Sequence, residues 1–199
     1  MRSLLRLDAS AREADSHSRR LADHYEARWR TAHSGGEVVT RDLVANPLPH
    51  LDPATIAVLY GGGQAAADPA PPGIALSDAL IAELKQADDI VVSSPIYNFS
   101  MPSALKAWVD HVVRFGHTVA YGERGPVGLL GGKRACFISV RGGNPQRSPD
   151  HQLPVMRAVF AYVGIEIVEV VELEGTQSDD GELDARVQAA SSAIDALFG

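Results

Sequence analysis

Ile90-Val91-Val92 stands between Asp89 and the pair Ser93-Ser94 as a continuous apolar run bounded by polar residues. This is the signature of a strand buried on both faces, as in the middle of a parallel sheet. Such a strand needs helices above and below it, and the rest of the chain supplies strands and helices in alternation. Ser3 to Asp8 reads as a first strand. Residues 18–33 place Leu21, Tyr25, Trp29 and Ala32 on one helical face, and Val38 to Leu43 is a second, Val-rich strand. Ser77 is expected to cap a helix whose Leu80, Ile81 and Leu84 face inward and which ends near Ala87.

Beyond the central strand, Ser100 is a cap candidate and Pro102 suits the first turn of a helix. That helix carries Leu105, Trp108, Val109, Val112 and Phe115, and Gly116 is expected to stop it. A glycine-rich connection, 116–132, leads to a strand from Lys133 to Val140, a helix over 152–163, a strand over 165–173 and a helix over 180–197. Asn46 to Gly73, rich in Pro, Gly and Ala and without a period, reads as a long surface excursion, expected to be mobile. Right-handed crossovers between five parallel strands give an α/β fold, a flavodoxin-like three-layer sandwich with strand order 2-1-3-4-5.

Composition narrows the class. At 199 residues, with 45% hydrophobic and 22% charged side chains, one domain spanning 1–199 is expected. A chain of this length buries roughly 70% of its unfolded surface, so it needs neither disulfide nor structural metal. The single cysteine, Cys136, agrees, since secreted scaffolds pair theirs. A formal net charge of −7 argues against nucleic acid or an anionic membrane as partner. No apolar run approaches the roughly 20 residues that span a bilayer. Met1 to Asp8 is too interrupted for a signal peptide, so a cytoplasmic location is expected. The seven histidines lack ligand spacing, so no metal site is expected.

Open parallel sheets bind ligands at the carboxyl ends of their strands, beside the reversal of strand order. Three loops there are unusual. After the first strand, Ser10 is followed by Ser16-His17-Ser18 at a helix start, where unpaired N–H groups, a partial positive charge and hydroxyls suit a phosphate monoester. Helix capping by Ser16 or Ser18 is the competing reading. After the third, Pro95-Ile96-Tyr97-Asn98-Phe99 forms a stiff, largely apolar wall with a few hydrogen-bonding points, suited to the edge of a flat polycyclic ligand, although Tyr97 and Phe99 also suit core packing. After the fourth, Val140-Arg141-Gly142-Gly143-Asn144 lets the backbone approach a ligand closely and donate to a ring that becomes anionic on reduction, or simply turns. Three such loops on one sheet favour a mononucleotide held by hydroxyls and amides. Other phosphate fingerprints are absent: Gly61-Gly62-Gly63-Gln64 follows no strand, and Gly131-Gly132-Lys133-Arg134 lacks the rest of a Walker loop.

With these loops in place the chain resembles the FMN-dependent NADH-azoreductases, a branch of the flavodoxin-like quinone reductases. The likeness runs through Ser10 with Ser16-His17-Ser18, Arg41-Asp42-Leu43, Ala45-Asn46-Pro47, Leu76-Ser77-Asp78, Pro95 to Phe99, Leu105-Lys106, Gly125 to Leu129 and Arg141-Gly142-Gly143. It implies tightly bound FMN, with the phosphate on Ser10 and Ser16 to Ser18. The ring is then held by Pro95 to Phe99 on one side and Val140 to Gly143 on the other. It also implies a homodimer with active sites at the interface, NADH or NADPH as electron donor, and quinone or azo aromatic acceptors. The chain departs from the family pattern at Ile96, where methionine is commoner, at Val140, a frequent serine, and at Val119, often phenylalanine.

A flavin carries its own redox chemistry, so no catalytic acid, base or nucleophile is nominated. Asn98, Tyr121, Asn144, Phe160 and Tyr162 are the expected substrate-pocket residues, the three aromatic ones presenting rings over the cofactor, across the dimer interface. Donor and acceptor would use one site in turn, a ping-pong scheme that delivers two electrons to a quinone and four, over two cycles, to an azo bond. The rivals are a one-electron carrier of flavodoxin type, a serine hydrolase, for which no Gly-x-Ser-x-Gly exists, and a flavin-sensing module without turnover.

Overall fold

The structure is a computed structural model and describes residues 1–60, 70–143 and 149–199. In chain order the elements are β1 (Ser3–Asp8), α1 (His17–Ala32), β2 (Glu37–Asp42), α2 (Pro53–Tyr60), α3 (Pro72–Gln86), β3 (Asp89–Pro95), α4 (Ser103–Val112), β4 (Val119–Gly122), β5 (Gly125–Gly128), β6 (Arg134–Val140), α5 (Gln152–Val163), β7 (Glu166–Leu173) and α6 (Leu183–Ala196). Five strands form one parallel sheet in the order β2-β1-β3-β6-β7. Counting only these strands, the order is 2-1-3-4-5, the flavodoxin-like pattern; β4 and β5 form a separate antiparallel hairpin.

Both faces of the sheet are buried, and alternate residues of one strand serve opposite layers. Leu5, Leu7, Ile90, Val92, Ala135 and Phe137 pack with α3, α4 and α5, whereas Leu4, Val91, Cys136 and Ile138 pack with α1 and α6. The period of two along a strand is thus hidden in the sequence, because both sets of residues are apolar.

Several sequence expectations are corrected. The 46–73 excursion contains α2, started by Asp52, whose Oδ1 accepts the Thr55 N–H at 2.7 Å, with Pro53 at the first helical position. Gly61-Gly62-Gly63 lies outside the described residues. Ser77 caps nothing: α3 begins five residues earlier, at Pro72, and the buried Ser77 hydroxyl donates to the His111 carbonyl at 2.7 Å, joining α3 to α4. Ser100 does not cap α4, being engaged in a turn with Tyr97. Phe115 and Gly116 lie beyond α4, which ends at Val112, where the Thr118 hydroxyl takes the last carbonyl. The 116–132 connection holds the β4–β5 hairpin, and Gly128 lets it lie against α5, since a Cβ there would sit 2.1 Å from the Gly164 nitrogen. The last helix begins at Leu183 rather than 180. No helix among the described residues is long and apolar enough to cross a membrane.

Candidate functional site

β1 and β3 are neighbours, and the chain leaves them toward opposite halves of the sheet, so the loops at their carboxyl ends splay apart. A cleft of about 500 Å³ opens there, within the size range of small-ligand sites. Ser10, Ser16 to Ser18, Pro95 to Phe99 and Val140 to Gly143 all line it. Two hydrogen bonds tie the three loops side by side: the Ala11 N–H donates to the Tyr97 hydroxyl at 3.2 Å, and the Ile96 N–H to the Val140 carbonyl at 2.7 Å.

At the first loop three buried hydroxyls form one cluster. Ser16 Oγ lies 3.0 Å from Ser10 Oγ and 3.2 Å from Ser18 Oγ. Ser16 also caps α1, accepting the Arg19 N–H at 3.4 Å, so the capping and cradle readings coincide in one residue. The amides at the head of α1 have no intrahelical acceptor and face the same space. Burial, then the neighbouring Arg20 and Arg12, hold the His17 pKa below the ordinary imidazole value. Arg20 lies 2.8 Å from its Nδ1.

The second loop is a tight turn. Tyr97 and Ser100 exchange backbone hydrogen bonds at 2.9 and 3.1 Å around Asn98 and Phe99, whose φ values are +48° and +70°. Positive φ at both central residues is the type I′ arrangement, in which the second position favours glycine, so Phe99 holds a strained backbone and presents an exposed ring. Beneath this turn is a buried polar bridge. Ser94 Oγ donates to Gln152 Oε1 at 2.6 Å and Gln152 Nε2 to Ser139 Oγ at 3.3 Å, linking β3, α5 and β6.

In the third loop the Gln177 side chain packs over Gly142, and a Cβ there would meet its amide group at 2.7 Å, so that side chain would have to shift. Arg141 pairs with Glu174, and its carbonyl accepts the Thr176 N–H at 3.2 Å. The cleft therefore gains Thr176 and Gln177, from the segment after β7, together with Arg12 and Asp15. None of these four was singled out as a site residue in the sequence. The ties to Arg141 and Gly142 are backbone bonds that leave no residue-type signal.

The expected substrate-pocket residues divide. Asn98 lines the cleft, and Asn144 lies outside the described residues. Phe160 is corrected: it is fully buried in the core against Trp108, ring centroids 6.3 Å apart, near the opposite end of α5, because its helical position points at the sheet. Tyr121 and Tyr162 are exposed and do not line the cleft of their own chain; Tyr121 lies against Phe115 with centroids 4.5 Å apart. No cluster of His, Cys, Asp and Glu among the described residues could hold a metal ion.

Comparison with known proteins agrees with this fold. The family described as having a flavodoxin-like fold matches residues 2–197. An FMN-dependent NADH:quinone oxidoreductase of Azotobacter vinelandii (strain DJ) is 42% identical over 176 residues, 88% of each chain. One of the same name from Hydrogenovibrio crunogenus is 36% identical over 198 residues, 98% of each chain. Among solved structures, an azoreductase from Bacillus anthracis (strain Sterne) superposes with a TM-score of 0.90, covering 100% of this chain and 99% of that one at 24% identity. An FMN-dependent NADH-azoreductase from the same species, solved in complex with FMN, gives 0.84 at 23% identity with both chains fully covered. The chain belongs to the flavodoxin-like family that contains the FMN-dependent NADH:quinone oxidoreductases.

Proposed function

We propose that this single-domain chain is an FMN-dependent oxidoreductase that takes electrons from NADH and passes them to quinones and aromatic azo compounds. One observation carries the reading: hydrogen bonds Ala11–Tyr97 and Ile96–Val140 bring a hydroxyl-lined helix start, an aromatic turn and a glycine loop around one cleft. Relatives 36–42% identical bear the name of that activity.

The residues fit the group. Ser10, Ser16 and Ser18, with the amides at the start of α1, offer hydroxyl and N–H donors to a phosphate. Ile96 to Phe99 would hold one edge of the ring, and the Gly142 and Gly143 backbone would offer N–H donors to the other, where they would favour negative charge. When bound, FMN supplies hydride acceptance and onward electron transfer, two electrons per cycle, so a quinone needs one cycle and cleavage of an azo bond to two amines needs two. Asn98 sits on the open side of the cleft as a polar contact for whichever partner occupies it. NADH and acceptor then share one place in turn. NADPH is the alternative donor. Exposed Tyr121 and Val127 on the hairpin, and Val155 and Tyr162 on α5, leave an apolar surface for a second copy, which supports a homodimer with the cleft at its interface. The expected compartment is the cytoplasm.

Steady-state oxidation of NADH by a soluble quinone, with both varied, tests this. Parallel double-reciprocal lines from protein that purifies with a flavin spectrum are expected. Intersecting lines overturn the shared place, flavin-free protein overturns the cofactor, and photoreduction that halts after one electron favours the one-electron carrier.

A further inference from the structure

A second hollow, of about 300 Å³, lies at the other end of the sheet, beneath the amino ends of β3 and β6, and none of its walls belongs to the cleft. Its sides are aromatic: Tyr25 and Trp29 from α1, and Phe198 after α6, whose ring meets Tyr25 edge-on at 5.1 Å. Its floor is Ala135 and Cys136 of β6. Burial, then Glu169, pushes the Cys136 thiol up to about 12, so the floor is uncharged at neutral pH.

Three features mark the hollow as built rather than left over. Tyr25 is more than nine-tenths buried, yet its hydroxyl has no hydrogen-bond partner among the described residues and lines the hollow. The neighbouring Asp89 is matched, accepting from Arg2 at 2.6 and 2.9 Å and from the Trp29 indole N–H at 2.9 Å. Second, the β6–β7 ladder breaks here, with Ala135 opposite Ile167 and Cys136 opposite Glu169, so Val168 is an extra residue facing no partner. Bulges of this kind recur beside sites because they stop pairing and re-aim the chain. Third, Arg134 lines the hollow without a carboxylate partner among the described residues. Glu169 shares the rim and forms no ion pair with Arg134 among those residues.

We propose that this hollow is a second ligand site, taking a small planar aromatic carboxylate. The ring would lie among Tyr25, Trp29 and Phe198, where edge and face contacts add to apolar burial. The carboxylate would accept from the Tyr25 hydroxyl, which has no hydrogen-bond partner among the described residues, and pair with the Arg134 guanidinium at the rim. A neutral ring would leave Arg134 unused, and a ringless carboxylate would leave the aromatic walls wet. The site is independent of the cofactor reading and stands whether or not the cleft holds FMN.

Benzoate is the probe, titrated into the whole chain at millimolar concentration while amide NMR shifts and the visible spectrum are recorded, with acetate and benzamide as controls. Saturable shifts at Cys136, Val168 and Phe198 are expected, with no change at Tyr97 or Gly142 and none in the visible spectrum. Arg134→Gln is expected to weaken benzoate about tenfold and Tyr25→Phe about fivefold, the latter keeping the ring and its packing. Glu169→Gln is expected to tighten it by removing a like charge. Absence of saturation, equal binding of acetate or benzamide, shifts confined to the cleft, or indifference to both Arg134→Gln and Tyr25→Phe would each overturn the proposal.

Discussion

Arg19 reaches from the first turns of α1 to Asp42 at the end of β2 and holds it through both guanidinium arms, one of them at 3.0 Å. Its remaining donors go to the Ser10 carbonyl at 2.8 Å and the Arg12 carbonyl at 3.0 Å. One ion pair therefore straps the hydroxyl loop to the sheet from below. The Arg19 hydrogen bond, helped by the Ala45 and Val44 amides, pulls the Asp42 carboxyl from 3.8 to about 2. A folded-state value below the unfolded one means that the unfolded chain takes up the proton first as pH falls. The contribution is complete above about pH 4 and fades toward pH 2. Asp42→Asn is expected to lower stability at neutral pH by about 1 kcal/mol, allowing for solvent screening at this half-exposed pair. Denaturant melts from pH 7 to 2 should show the gap between the two proteins closing at the acid end; a gap independent of pH would remove the ion pair as its cause.

The hydroxyl cluster predicts which part of a flavin depends on it. Ser16→Ala deletes the N-cap of α1, costing about 1 kcal/mol of stability, and removes the centre of the Ser10–Ser16–Ser18 cluster. FMN affinity should fall about tenfold while riboflavin, which lacks the phosphate, binds as before. Fluorescence titration of the apoprotein with each compares them. An equal loss for both would mean that the loop contacts the ring or the ribityl chain instead.

How much was legible in the sequence is visible in these residues: the flavodoxin-like strand order follows from the alternation of strands and helices, and the three loops named at its strand ends line one cleft. Side-chain chemistry at strand ends is local, so Ser10, Tyr97 and Gly142 announce themselves without knowledge of packing. The errors lie where tertiary context overrides local signals. Ser77 looks like a cap because serine before an apolar helical face usually is one, but its hydroxyl is consumed by His111 across to α4. The start signal of α2, Asp52-Pro53, was present in the sequence but masked by the surrounding Pro, Gly and Ala. Phe160 illustrates the opposite failure. Its chemistry suited a flavin, while the helical phase that turns it to the core is read only against its neighbours Met156 and Val163.

Phe99 trades stability for its ring. At φ +70° a side chain with a Cβ costs about 1–2 kcal/mol relative to an unstrained position, and glycine would not incur that cost. Because the ring is half exposed, its removal forfeits little burial within this chain. Phe99→Gly is expected to melt at the same temperature as the parent or a few degrees higher, with weaker flavin binding and a raised KM for quinone. Scanning calorimetry of the apoprotein beside steady-state kinetics checks both halves. A variant that is less stable, with kinetics unchanged, would make Phe99 a packing residue.

Gln152 makes the complementary case, a residue that touches no ligand and yet fixes two walls of the cleft. It opens α5, where Asp150 caps it by accepting the Gln152 and Leu153 amides at 2.7 and 3.1 Å, and the preceding His151 N–H donates to the Phe99 carbonyl at 3.0 Å. Its fully buried amide then spans Ser94 and Ser139, one residue short of Pro95 and Val140, where the walls begin. Replacing it by leucine keeps the volume but strands two hydroxyls in a dry interior, a loss of about 1–3 kcal/mol. The double variant Ser94→Ala with Gln152→Leu should cost less than the sum of the single changes, since each removes the same bond. Urea melts of the four apoproteins measure the coupling. Strict additivity would show that the amide bridge does not act as a unit, and the spacing of the two walls would then have to come from the β3–β6 ladder and the Ile96–Val140 backbone bond.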